Sequence, residues 1–91
     1  MAALAQPDVQ ESAIRNVLST IPLPEGASLQ RLEFRNDSSG EPALFVVYAV
    51  TEPPFVDEGR ALELMHLRDT VSSRLRDFGL ALTAYTMYVA A

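Results

Sequence analysis

The run from Glu41 to Thr51 (Glu-Pro-Ala-Leu-Phe-Val-Val-Tyr-Ala-Val-Thr) is apolar at nearly every position. Its length and residue types predict a strand. Side chains alternate along a strand, so Ala43, Phe45, Val47 and Ala49 point one way and Leu44, Val46, Tyr48 and Val50 the other. A half-buried strand would alternate apolar with polar. This one calls for cover on both faces.

Four further elements follow from the same patterning. Val9, Ala13, Ile14, Val17, Leu18 and Ile21 recur at helical spacing, and Asp8 with Glu11 after Pro7 fits a capping box. Pro22 and Pro24 stop that helix. Ser28 to Arg35 alternates, with Leu32 and Phe34 on one side and Arg31, Glu33 and Arg35 on the other, which predicts a strand. Asn36-Asp37-Ser38-Ser39-Gly40 is a cluster of turn residues joining it to the apolar run as a hairpin. After the loop Glu52 to Gly59, with its two prolines, a helix is predicted from Asp57 or Gly59 to Phe78. Leu64, Leu67, Val71, Leu75 and Phe78 form its stripe, and Gly79 is its C′ residue. Ala81 to Val89 is a third strand.

The expected order is therefore α-β-β-α-β, an α+β fold in one two-layer domain spanning residues 1–91, with 1–6 as a flexible tail. The strand–helix–strand crossover makes the second and third strands parallel, with right-handed connectivity. Two amphipathic helices cover one face of a three-stranded mixed sheet and leave nothing for the other. A contiguous apolar patch on a small domain marks an interaction site. Leu44, Val46, Tyr48, Tyr85 and Met87 are the candidate interface residues, with Phe55 from the loop. Sequence parity leaves open which row faces the helices, and strand order is likewise open.

Charge narrows the class of partner. The net charge is −5, and all seven basic residues are Arg. Nucleic-acid affinity comes mainly from neutralising phosphates, so this balance disfavours such a ligand. The chain has no Cys, which excludes disulfides and thiolate metal sites. No apolar run approaches a membrane span, and the first residues lack the pattern of a signal peptide, so a soluble cytoplasmic protein is expected.

Candidate chemistry is sparse, and no enzyme activity or cofactor is expected. His66 is the single histidine and falls outside the apolar stripe of its helix, where a solvated side chain is expected. Asp57, Glu58 and Glu63 carry oxygen ligands suited to Mg²⁺, but helix N-termini attract acids in any case. Arg31 and Arg35 share a strand face, where an ordered anion would mark a ligand or RNA site. The glycines are isolated, so no phosphate-binding loop is present.

The α-β-β-α-β order resembles the C-terminal scaffold domain of the NifU family and the type II KH arrangement. The paired cysteines of the first and the Gly-x-x-Gly loop of the second are missing here, so neither activity carries over. Ser39 to Val47, followed by the helix ending Leu75-Arg76-Asp77-Phe78-Gly79-Leu80, resembles a class of short bacterial proteins encoded beside HEPN-type partners. That resemblance implies an antitoxin-like, protein-binding role. A homodimer holding a small ligand or RNA between sheets is the other expectation.

Overall fold

The computed structural model describes residues 7–51 and 58–91, with side chains of the first helix described from Gln10 onward. Helix α1 spans Pro7–Leu18, β1 Ala27–Asn36, β2 Pro42–Val50, α2 Glu58–Phe78 and β3 Thr83–Ala90. The fold is α+β, in the predicted order. The sheet order is β1-β2-β3, so the apolar run is the central strand. It pairs antiparallel with β1 and parallel with β3. The expected tail at 1–6 and the expected cap at Asp8 fall outside the described residues and side chains. Glu11 accepts a hydrogen bond from Arg15 Nε at 3.1 Å.

Helix α1 closes earlier than the prolines require. The Ser19 and Thr20 hydroxyls donate to the carbonyls of Asn16 and Val17, and the Thr20 and Ile21 N–H groups bond three residues back. These side chains compete with the helical ladder and tighten its last turn. Helix α2 ends as predicted. Gly79, at φ 98°, carries the left-handed residue. The Leu80 N–H donates to the Leu75 carbonyl, and Gly79 N–H to that of Arg76, the two bonds of a Schellman cap.

The β1–β2 hairpin joins its strands through the five residues Asp37 to Glu41. Within it, Asp37 N–H donates to the Glu41 carbonyl and Gly40 N–H to the Asp37 carbonyl, with Ser38-Ser39-Gly40 at the tip. This closure sets the register: Phe34 opposes Leu44 and Leu32 opposes Val46. An irregularity between Leu29 and Arg31 sets Gln30 aside as a bulge, so that Leu29 opposes Tyr48.

Register decides which face is the core. Leu44, Val46 and Tyr48 cluster with Ile14, Leu18 and Ile21 from α1 and its exit, and with Leu67, Val71 and Leu75 from α2. Leu29, Leu32, Leu80, Leu82, Ala84 and Tyr88 border them. Fully burying a Leu or Val side chain contributes about 1.5–3 kcal/mol, so this cluster is the main source of stability. The α2 stripe holds at Leu64, Leu67, Val71 and Leu75. Phe78 departs from it and is exposed, because the helix ends there and the chain turns at Gly79.

Candidate functional site

The six residues expected to form one interface separate. Leu44, Val46 and Tyr48 lie under the helices, with Tyr48 only 1 % exposed, so they are core in the single chain rather than contact surface. The reason is the hairpin register, which places them opposite Phe34, Leu32 and Leu29. Tyr85 and Met87 lie on the opposite face, 39 % and 38 % exposed. Phe55 lies outside the described residues.

The open face has three rows, aligned by strand pairing: Arg31, Glu33 and Arg35 on β1; Ala43, Phe45, Val47 and Ala49 on β2; Thr83, Tyr85, Met87 and Val89 on β3. The middle row is buried although no described helix lies over it. Among the described residues, long side chains from the outer rows cover Phe45. The Arg35 guanidinium sits 3.7 Å from the Phe45 ring centre, and Tyr85 stacks on the same ring at 5.1 Å. Val47 lies between Arg31 and Met87 on the flanking strands. Amphipathic stems lying over an apolar row, with their polar ends in water, are an expected way to finish such a face.

Electrostatics fixes these covering groups. Glu33 accepts from Arg31 Nε at 2.5 Å and from Arg35 Nε at 3.0 Å. Those two hydrogen bonds hold its carboxyl below the ordinary carboxylate range. Tyr85 Oη donates to Asp37 Oδ2 at 2.9 Å across the sheet. Asp37 Oδ1 accepts from Ser39 Oγ at 2.7 Å, Ser39 N at 2.9 Å and Glu41 N at 3.0 Å. The Ser39 hydroxyl first, then the Glu41 N–H and Tyr85, bring the Asp37 carboxyl down to about 2. The same bond pushes the Tyr85 phenol above its usual value. Sequence reasoning missed Asp37 as the anchor of Tyr85, since the two are 48 positions apart and only the sheet brings them together.

The helix side holds two tyrosines in contrasting states. Tyr88 Oη donates to the Leu64 carbonyl at 2.5 Å, whereas Tyr48 Oη and Thr86 Oγ1 are buried without a hydrogen-bond partner. Burial pushes the Tyr48 phenol up to about 12, and burial also takes Tyr88 to about 12.

The expected chemical candidates do not converge. Arg31 and Arg35 both serve Glu33, so neither offers a free cation to an anion. Glu63 pairs with Arg60 at 3.4 Å, and Asp57 lies outside the described residues. Among the described residues, no three His, Cys, Asp or Glu side chains gather as a metal site requires, and no helix is long and apolar enough to cross a membrane. His66 is exposed and borders a groove of about 530 Å³ between the Ile21–Pro24 loop and α2, together with Glu63, Thr70 and Arg74. Arg74 donates there to Thr20 Oγ1 at 3.0 Å.

Compared with protein-family models, with curated proteins and with solved structures, the chain matches none.

Proposed function

We propose that this domain binds another protein through its open sheet face, as a non-catalytic accessory or antitoxin-like subunit. The observation that carries the reading is the patch formed by Tyr85 and Met87 around Phe45. It is aromatic, half-exposed and held in place by Asp37 and Arg35. Tyr and Met are enriched at interfaces, where a fixed ring adds contact area at little entropic cost. The net charge of −5 favours a basic partner, which the field of the whole chain steers into contact. An acidic surface suits a basic, RNA-cleaving partner.

Substitution tests it. Tyr85→Asp keeps the fold and weakens binding to the co-purified partner at least tenfold, as truncating an interface anchor costs 2 kcal/mol or more. Unchanged affinity in a folded Tyr85→Asp variant overturns the assignment of this face.

The groove beside α2 supports a second reading, as a small-ligand domain. About 530 Å³ is within the size range of ligand sites, and it combines Ile21, Leu23 and Leu67 with His66, Thr70 and Arg74. A thermal-shift screen of small amphipathic acids checks it, with a Tm rise abolished by Arg74→Gln as the supporting result. The absence of any shift across such a screen counts against it.

A further inference from the structure

The two edges of the sheet are built differently. β1 carries Arg31, Glu33 and Arg35 and is broken by the bulge at Gln30. Charge and bulges are the features by which natural proteins keep an edge strand from pairing further. β3, Thr-Ala-Tyr-Thr-Met-Tyr-Val-Ala, has no charge, no proline, no glycine and no bulge along its eight residues. Its ladder to β2 is unbroken from Thr83 to Ala90, and among the described residues no strand pairs with its outer side. A trough of about 350 Å³ runs beside the start of this edge, between Ser72, Leu75 and Arg76 of α2 and Leu80, Leu82 and Ala84.

We infer that the β3 edge pairs with β3 of a second copy of this chain, making one continuous six-stranded sheet. The occupant is a second copy because an uncharged strand meets no like-charge penalty against itself, even in a chain of net charge −5. Symmetry fixes the arrangement. Identical strands joined antiparallel edge to edge are related by a two-fold axis perpendicular to the sheet. That axis keeps both open faces on one side, so each residue opposes one of its own parity. Pairing centred on Thr86 or Met87 uses the whole strand and places the strand end of the second copy beside the trough at Leu82. The two Tyr85 and Met87 patches then lie on one surface. The inference concerns the edge and not the face, so it stands whether or not another protein binds.

The test is the mass of the full chain alone, by sedimentation over a concentration series up to about 1 mM, where even a millimolar contact is half populated. The wild type moves towards twice its 10.0 kDa mass. Met87→Lys, which places two like charges near the axis, stays monomeric where the wild type is dimeric, and Leu62→Lys on the exposed side of α2 dimerises like the wild type. Hydrogen exchange of the wild type gives a readout independent of variant folding: β3 amides gain protection with concentration and β1 amides do not. A wild type that stays at 10.0 kDa, a folded Met87→Lys that still dimerises, or protection gained on β1 alone overturns edge pairing. The wild-type mass and the exchange pattern are read on the chain alone, so they are independent of partner binding at the open face.

Discussion

Tyr48 shows what a single atom costs in this core. Its ring fills the space under the helices, 1 % exposed, but its hydroxyl has no partner there. An unsatisfied buried hydroxyl costs about 1–3 kcal/mol. Tyr48→Phe keeps the ring and removes the penalty, so it raises unfolding stability by about 1 kcal/mol, read as a higher urea midpoint. Asp37 carries the opposite sign. Its folded carboxyl lies at about 2, below the 3.8 of an unconstrained Asp. The ionised form therefore favours the folded state. That contribution is fully present above about pH 4 and is lost as pH falls through about 2. Wild type should lose stability over this window more steeply than Asp37→Asn, followed by urea midpoints at successive pH values. Equal slopes would mean that the four hydrogen bonds to Asp37 are not kept in solution.

At the scale of elements, the sequence was most legible where one pattern had one outcome. The facing of β1, the stripe of α2 at Leu64, Leu67, Val71 and Leu75, and the Gly79 cap appear where the residues place them, whereas Phe34 shares the side of Leu32 but is exposed. The assignment of faces on β2 was not legible, because both its rows are apolar and parity alone is symmetric. The missing quantity was the hairpin register. A connection of Asp37 to Glu41, closed by the bond between those two residues, places Leu44 and Val46 opposite Phe34 and Leu32, and the alternation of β1 then shows which row is inside. The Gln30 bulge was invisible for the same reason, since it is defined only against a partner strand. Phe78 fits the helical stripe by spacing but is exposed, as the last residue of the helix before the chain turns at Gly79. Gly26 joins three elements. It has φ 82°, and a Cβ there would lie 2.2 Å from Thr51 Oγ1 and 3.3 Å from Arg60 Nη2. Gly26→Ala should destabilise by about 1–3 kcal/mol, through left-handed strain and this close approach, seen as a lower Tm. No loss would show that the β1 entrance relaxes freely.

For the molecule as a whole, the sheet has a covered face, an open face and two unequal edges. The covered face holds stability and the open face holds the candidate contact, so their substitutions should separate. Tyr48→Asp places a charge in the core and unfolds the domain, since an unpaired buried charge costs several kcal/mol. Tyr85→Asp leaves circular dichroism unchanged and reduces association. The converse pattern would reverse the two faces. The acidic balance of the chain adds a kinetic signature, a rate of association with a basic partner that falls as salt rises. The central claim, a binding domain without chemistry of its own, is tested most directly by native mass spectrometry of the chain purified at its natural level from its own cells. The account predicts a stoichiometric complex with a second protein, lost on Tyr85→Asp. A chain that emerges alone, or only as copies of itself, contradicts it.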